Sequence, residues 1–277
     1  MPYRWRVPFV GWVASRIVAP IAGYRRRIRQ NLHYTFPDMV AADIDRIVRD
    51  VPNNMGRVII EVFSGQEFVD RIRNIPLHGQ GVDALDQAHA ANRPVILVSG
   101  HFGNYEVPRA ALIARGFRVG ALFKPMKNKY FAVRFEKAFS GIGEPVFRRG
   151  RRGFGEMLRF VRSGGMTAFL IDQYMGHGES LSFLGKPART ALSAAELALK
   201  YDALLVPVYG IRQPNGLDFE ILIEPPIPHT TASEMTQAIN DSLDRLVRQH
   251  MDQWLWVHRR WKPERKDSQR KRAAAST

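Results

Sequence analysis

The hydrophobic residues of this chain follow two patterns: short unbroken apolar runs, and longer stretches in which they recur at helical spacing. Val95–Val98 is an uninterrupted, mostly β-branched run, which is typical of a parallel strand buried on both faces. Similar runs predict strands at 118–123, 144–147, 167–171, 204–209 and 219–223. Helical spacing predicts helices at 29–77, 104–115, 154–162, 193–200 and 235–251. This alternation predicts an α/β fold whose central mixed, largely parallel sheet is flanked by helices.

Three connecting segments carry further expectations. Phe36-Pro37-Asp38 is expected to separate two helices within 29–77, with Asp38 capping the second. Residues 183–190 are expected to form a loop, and residues 263–277 a disordered basic tail.

The first apolar stretch, Val7–Tyr24, is close to the shortest length that spans a bilayer. Arg16 lies near its middle and Pro20 interrupts it, so we expect a helix that lies in the membrane interface rather than crosses it. A core helix of the folded domain is the alternative. The small-residue cleavage pattern of a secretory signal is missing, so no export is expected.

The amino-acid composition excludes several kinds of active site and indicates the kind of surface that the chain can bind. The 277 residues include no cysteine, which excludes thiol nucleophiles, disulfides and thiolate metal sites. The net charge is +15, and 13 of these charges lie in residues 1–37 and 259–272. Two basic ends are suited to an anionic membrane or to nucleic acid, while the middle of the chain is close to neutral.

The strongest candidates for catalytic residues follow the apolar run at 95–98. His101 is expected on the turn after the strand, where open α/β sheets place their ligands, with Glu106 in the first turn of the next helix. From there the Glu106 carboxylate can reach back to the imidazole. A neutral imidazole held by a carboxylate is a general base, and the positive helix N-terminus favours this arrangement.

Further polar groups follow the other predicted strands. Lys124 and Asp172 each come directly after a strand, so a crevice lined by His101, Glu106, Lys124 and Asp172 is predicted at one edge of the sheet. Arg134 and the arginines of 148–152 add positive charge nearby. The sequence contains no Gly-x-Ser-x-Gly elbow, no P-loop and no clustered metal-ligand set, and neither a metal nor a cofactor is expected.

The segment His101-Phe-Gly-Asn-Tyr-Glu106 resembles the His-x4-Glu box of the lipid A late acyltransferases, the lauroyl and myristoyl acyltransferase family. Other motifs of that family follow in its order, so the resemblance extends from about residue 25 to 262. They are Asn31-Leu32 with Phe36-Pro37, Phe123-Lys124-Pro125 with Asn128, Asp172-Gln173, Phe183-Leu184-Gly185 with Ala188 and Thr190, and Gln253–Lys262. Lys124 stands where the family usually has arginine, and a lysine lacks the two-pronged phosphate geometry of arginine.

The resemblance implies a glycerolipid-acyltransferase-like fold and an enzyme on the cytoplasmic side of the cell inner membrane. Such an enzyme moves a fatty acyl chain from acyl carrier protein to a hydroxyl of a lipid A precursor glycolipid. The implied organisation is a membrane-associated segment at 1–30, which meets the anionic membrane surface, an acyltransferase domain at 31–262, and the tail.

Residue by residue, the resemblance implies that His101 is the base and Glu106 its orienting partner. Transfer is expected to be direct, with backbone amides of the 101–104 turn holding the oxyanion. Lys124 and Arg134 are predicted to bind the substrate's phosphates or the carrier's acidic face, and Asp172 to orient one of these cations.

Three alternatives stay open at this point. The first is a lysophospholipid acyltransferase, although those enzymes usually have His-x4-Asp and a later Phe-Pro-Glu-Gly motif. The second is a related glycolipid acyltransferase that uses acyl-CoA. The third is a basic module that binds nucleic acid or membrane; nucleic acid is not expected as a partner, because aromatic residues are not interleaved with the basic ones as stacking platforms.

Overall fold

The computed structural model describes residues 1–123 and 129–262, with the side chains of 129–132 left out. Within them, a seven-stranded sheet has the order β1-β9-β8-β2-β5-β3-β4. Its strands are β1 (Leu77–His78), β2 (Val95–Ser99), β3 (Val119–Phe123), β4 (Val146–Arg148), β5 (Met166–Leu170), β8 (Leu204–Arg212) and β9 (Phe219–Ile223). All neighbouring strands run parallel except β8 and β9. The predicted α/β fold with a mixed, largely parallel sheet is confirmed.

Strand β2 lies inside the sheet, between β5 and β8. All five of its residues are buried, because helices cover both faces of the sheet. This explains why its sequence is continuously apolar instead of alternating between apolar and polar residues. The turn that carries His101 therefore starts from a strand that is buried along its whole length.

The helices surround this sheet. They are α1 (Tyr3–Val13), α2 (Ala19–Ile21), α3 (Tyr24–Thr35), α4 (Ala41–Phe63), α5 (Gln66–Ile72), α6 (Val82–Ala90), α7 (Glu106–Ala114), α8 (Lys129–Ile142), α9 (Arg151–Arg162), α10 (Ser193–Tyr201) and α11 (Ala232–Gln249). The predicted boundary at 36–38 is present between α3 and α4. The predicted cap is wrong, because the residue at the cap position of α4 is Val40, and it makes no side-chain hydrogen bond.

Residues 183–190, predicted as a loop, belong to a separate antiparallel hairpin. Strands β6 (Glu179–Phe183) and β7 (Lys186–Thr190) pair with each other, and Leu184 and Gly185 form the turn with positive φ angles of 51° and 71°. The turn lacks the usual Asn-Gly signal, and Pro187 argues against a central strand. A short two-stranded ribbon tolerates both features.

The amino-terminal helix packs one face on α4 and leaves the other in solvent. Tyr3, Val7 and Gly11 are buried, and a π-helical turn at Ala14–Val18 joins α1 to α2. Among the described residues, no single helix is long and apolar enough to cross a membrane. The helices Tyr3–Ile21 and Tyr24–Thr35 pass that test only as a pair, and they meet at an angle of 86°.

Candidate active site

The register of β2 and β5 places His101 beside Asp172. Ser99 pairs with Leu170 at the ends of these two parallel strands. The two functional side chains each come two residues later, so they leave the sheet edge opposite each other. His101 Nδ1 lies 2.8 Å from Asp172 Oδ1. This pair is the centre of the candidate site.

Asp172 is buried and accepts hydrogen bonds on both carboxylate oxygens. In addition to the imidazole on Oδ1, Oδ2 accepts from the backbone amide of His101 at 2.8 Å and from the indole of Trp254 at 2.9 Å. Burial by itself raises the pKa of Asp172, but attraction to His101 and these hydrogen bonds outweigh burial and lower the pKa to about 2. The carboxylate is therefore ionised at neutral pH and fixes the proton of the imidazole on Nδ1.

The other imidazole nitrogen, Nε2, lies on the exposed side of the ring. The His101 side chain is 21% exposed, and Nε2 lies 3.3 Å from the side-chain nitrogen of Gln173. Because Nδ1 carries the proton that Asp172 accepts, Nε2 carries the lone pair of the ring and is a hydrogen-bond acceptor. A hydroxyl that reaches this nitrogen can give up its proton to it, which is the requirement for a general base.

Glu106 does not make the predicted contact with the imidazole. Its carboxylate accepts from Arg109 Nε at 2.8 Å, one turn along α7, and both side chains are buried. Arg109 also donates to the backbone carbonyls of Phe139 and Gly143 at the end of α8. The expected His101–Glu106 hydrogen bond is therefore wrong. A role for Glu106 in the reaction stays a prediction. In the structure, Glu106 holds Arg109, which in turn connects α7 to the end of α8.

A buried polar network fixes the turn after β2. Arg212 on β8 grips Glu61 on α4 with both terminal nitrogens, at 2.6 and 2.7 Å, and its Nε donates to Asn54 at 2.7 Å. Asn54 then donates to the carbonyl of Gly103, and Asn104 donates to Glu61. The turn is thus tied through charged groups to a helix and a strand on different sides of it. This network was absent from the sequence prediction because its members lie far apart in the chain.

Gly103 adds a steric requirement to the same turn. Its φ angle is +54°, and a Cβ atom there would lie 1.9 Å from the carbonyl oxygen of Gly210. Only glycine satisfies both conditions. The close approach lets the amide of Asn104 donate to that carbonyl at 3.0 Å. The turn is consequently held against β8 by its own backbone.

Replacing Arg212 with methionine is expected to lower the free energy of unfolding by about 3–5 kcal/mol, because the Glu61 charge would stay buried without its partner. Urea unfolding measures the change. The control is Arg152→Met, which removes one member of an exposed ion pair with Glu156 and should change stability little. Equal stability of the two variants would show that the buried pair does not hold the fold.

The segment after α11 closes the site from one side. Trp254 and Trp256 are fully buried, and their rings pack edge to face with centroids 4.8 Å apart. Asn31 on α3 donates to the carbonyls of Trp256 and His258 at 2.7 and 2.9 Å. Asn31 and this segment belong to the motifs that carried the family resemblance, and the structure joins them directly.

His258 and Arg260 support the residues after Asp172. His258 Nε2 accepts from the amide of Tyr174 at 2.9 Å, and burial lowers the pKa of His258 to about 4, so it is neutral at physiological pH. Arg260 is fully buried and donates to the hydroxyl of Thr190 and to the carbonyl of Arg189. Burial lowers the pKa of Arg260 to about 10, so it stays charged.

The predicted cationic residues have different outcomes. Asp172 binds His101 and Trp254, and its predicted orientation of a cation stays a prediction. Arg134 lies exposed on α8. Lys124 lies outside the described residues. Within the described ranges, no group of histidine, aspartate and glutamate side chains is arranged to hold a metal ion.

Comparison with known proteins places the chain in a family. Residues 1–263 match the family model for bacterial lipid A biosynthesis acyltransferases. Lipid A biosynthesis acyltransferase 2 of Shigella flexneri is 22% identical over an alignment of 244 residues, which covers 84% of this chain and 76% of that protein. Phosphatidylinositol mannoside acyltransferase of Mycobacterium tuberculosis is 22% identical over an alignment of 281 residues, which covers 94% of this chain and 89% of that protein.

Among solved structures, the 1-acyl-sn-glycerophosphate acyltransferase PlsC from Thermotoga maritima aligns with a TM-score of 0.41 and 11% identity, covering 91% of this chain and 96% of that one. The family match, by contrast, extends over nearly the whole sequence and includes every residue of the site. The chain is therefore an acyltransferase and belongs to the bacterial lipid A biosynthesis acyltransferase family.

Proposed function

We propose that this enzyme transfers a fatty acyl chain from acyl carrier protein to a hydroxyl group of a lipid A precursor. The observation that carries the proposal is the hydrogen bond of 2.8 Å between Asp172 and His101 Nδ1, in a chain of this family. It leaves the basic nitrogen of the imidazole facing the outside of the site, where a hydroxyl of a lipid can approach it.

The reaction follows from this geometry as a direct transfer. The acceptor hydroxyl gives its proton to His101 Nε2 while its oxygen attacks the carbonyl carbon of the acyl thioester. Asp172, ionised and buried, stabilises the imidazolium that forms. The carbon–sulfur bond then breaks, and the imidazolium returns the proton to the thiolate. No side chain of the enzyme is acylated in this scheme.

Positively charged side chains at the same edge of the sheet are suited to bind anionic substrates. Arg148, Arg149, Arg151 and Arg152 are all exposed and lie between β4 and the first turn of α9. Because β4 is parallel to β3 and β5, this cluster lies at the carboxyl ends of the strands, as His101 does. Phosphates of a glycolipid and the acidic surface of a carrier protein are the expected ligands.

A second acceptor class has comparable support. The mycobacterial relative, named for phosphatidylinositol mannoside, is as similar to this chain as the Shigella lipid A relative and is covered more completely. Both names describe glycolipids that carry phosphate and free hydroxyls. The acceptor is therefore best identified by direct competition between the two.

The deciding experiment is mass spectrometry of the products. Purified enzyme receives one acyl donor, acyl carrier protein or coenzyme A thioester, together with one acceptor: lipid A precursor, phosphatidylinositol mannoside or lysophosphatidic acid. We expect one added acyl chain on the lipid A precursor with the carrier-protein donor. Faster acylation of another acceptor would reassign the substrate, and no acylation of any acceptor would overturn the proposal.

We also propose that α1 and α2 dock on the cytoplasmic surface of the inner membrane. Trp5, Phe9 and Trp12 share one face of α1 and are more than half exposed, and Ile21 on α2 is 84% exposed. Exposed apolar side chains of this size are concentrated here. The arginine-rich first turns of α3 supply charge complementary to anionic lipid headgroups.

Replacing all three of Trp5, Phe9 and Trp12 by serine is expected to lower binding to vesicles of anionic phospholipid at least about tenfold. The reason is that the three apolar side chains that would enter the lipid are lost. Vesicle flotation measures the bound fraction. The control replaces the exposed Val133 and Leu199 with serine on other surfaces. Unchanged binding of the triple variant would place the membrane contact elsewhere.

A further inference from the structure

Most backbone amides of the turn after β2 already donate hydrogen bonds, so they are not available to bind a developing negative charge. The amide of His101 donates to Asp172 at 2.8 Å, that of Gly103 to the carbonyl of Gln253 at 2.9 Å, and that of Asn104 to the carbonyl of Gly210 at 3.0 Å. An oxyanion at these amides would have to displace bonds that hold the turn in place. The sequence-based expectation that amides of 101–104 bind the oxyanion therefore fails for three of the four.

A different donor lies at the basic nitrogen itself. The side-chain nitrogen of Gln173 is 3.3 Å from His101 Nε2, and Gln173 is exposed on the open side of the site. Because Asp172 fixes the imidazole proton on Nδ1, Nε2 is an acceptor, and the group that faces it must be the carboxamide NH2. This group has two N–H bonds, and only one of them can point at Nε2.

The backbone on either side of the Gln173 side chain is held by hydrogen bonds. Its carbonyl accepts from Arg260 at 3.4 Å, the residue before it is the buried Asp172, and the next amide, of Tyr174, donates to His258. The side chain of Gln173 is exposed. A donor whose backbone is held in place has only its side-chain torsions to adjust when it reaches a developing charge, which limits the cost of stabilising a transition state.

We propose that Gln173 is a catalytic residue whose carboxamide donates a hydrogen bond to the oxyanion of the tetrahedral intermediate. This inference rests on the proposed acyl transfer. In the resting enzyme the carboxamide lies at His101 Nε2. The acceptor hydroxyl takes that position, and the carboxamide turns to the carbonyl oxygen of the thioester.

The step balances without any further reactant. The oxygen–carbon bond forms, the hydroxyl proton moves to His101 Nε2, and the carbonyl π electrons become the oxyanion that Gln173 stabilises. Collapse of this intermediate restores the carbonyl and breaks the carbon–sulfur bond. The proton passes from the imidazolium to the departing thiolate, so the products are an ester and a free thiol.

The test uses the full-length enzyme with acyl carrier protein thioester and lipid A precursor. Gln173→Ala is expected to lower kcat about 10²–10³-fold with little change in KM, because the bond is made only in the transition state. Gln173→Glu keeps the size but replaces the donor with a negative charge, and it should lower kcat at least as much. Gln249→Glu makes the same chemical change at an exposed position at the end of α11 and serves as the control.

Two outcomes would contradict the inference while leaving the proposed function intact. One is a Gln173→Ala enzyme within about fivefold of wild type, which would assign the oxyanion to a backbone amide. The other is a rise in KM with unchanged kcat, which would make Gln173 a substrate-binding residue. If the wild-type enzyme transfers no acyl chain to any acceptor, the proposed function itself fails. Thermal unfolding of each variant checks that the fold is retained.

Discussion

His101→Ala is expected to abolish acyl transfer, with a loss of at least about 10³-fold, because the attacking hydroxyl would lose its proton acceptor. The fold should survive, since the imidazole is partly exposed and Asp172 keeps the hydrogen bonds from the His101 amide and from Trp254. Release of free thiol from the carrier-protein donor, measured with the lipid acceptor present, gives the rate.

His177→Ala provides the matched control, because this histidine is exposed in the segment that leads into the β6–β7 hairpin. It should transfer acyl chains at the wild-type rate. Substantial turnover by His101→Ala with a normal melting temperature would refute the assignment of His101 as the base.

Asp172→Asn is expected to lower kcat by about 10²–10⁴-fold through a specific change of tautomer. Oδ2 of Asp172 receives two donors, the His101 amide and the Trp254 indole, while Oδ1 receives only the imidazole. The single oxygen of asparagine must therefore take the place of Oδ2. Its NH2 group then faces His101 Nδ1 and forces the imidazole proton onto Nε2, so the base nitrogen is no longer free.

Nitrogen-15 NMR of the imidazole measures this change independently of activity. The wild-type enzyme should show the Nδ1-protonated form, and Asp172→Asn should show the Nε2-protonated form. A variant with low activity and an unchanged tautomer would show that Asp172 acts in some other way.

Glu106→Gln is the comparison that separates the two candidate carboxylates. Because Glu106 pairs with Arg109 and not with the imidazole, this variant should keep the wild-type tautomer and lose mainly thermal stability. A Glu106→Gln enzyme that loses as much kcat as Asp172→Asn at an unchanged melting temperature would restore Glu106 as the orienting residue.

The strands and the position of His101 could be predicted because they depend on local sequence. The apolar runs at 95–98 and 167–171 mark two strands that the structure confirms, and both functional turns follow directly from them. The partner of His101 depends instead on which strands are neighbours. In the sequence Glu106 is five residues away, whereas Asp172 becomes adjacent only when β5 pairs with β2.

The sequence did place Asp172 in the same crevice as His101, but not as its hydrogen-bond partner. Ligands in open α/β sheets sit at the carboxyl ends of adjacent strands, and Asp172 comes directly after such a strand. What no local pattern supplies is the register that sets residues 101 and 172 at equal height. The Arg212–Glu61 pair is still less accessible, because it joins residues 151 positions apart.

The indole of Trp254 that holds Asp172 comes 82 residues later in the chain, and this has a consequence for biosynthesis. During synthesis, β2, β5, His101 and Asp172 are made before Trp254. The Asp172 carboxylate therefore lacks one hydrogen-bond donor until residue 254 has left the ribosome and folded back. A chain that stops before residue 254 therefore lacks one of the donors that fix Asp172, and we expect it to transfer acyl chains more slowly than a chain that includes Trp254.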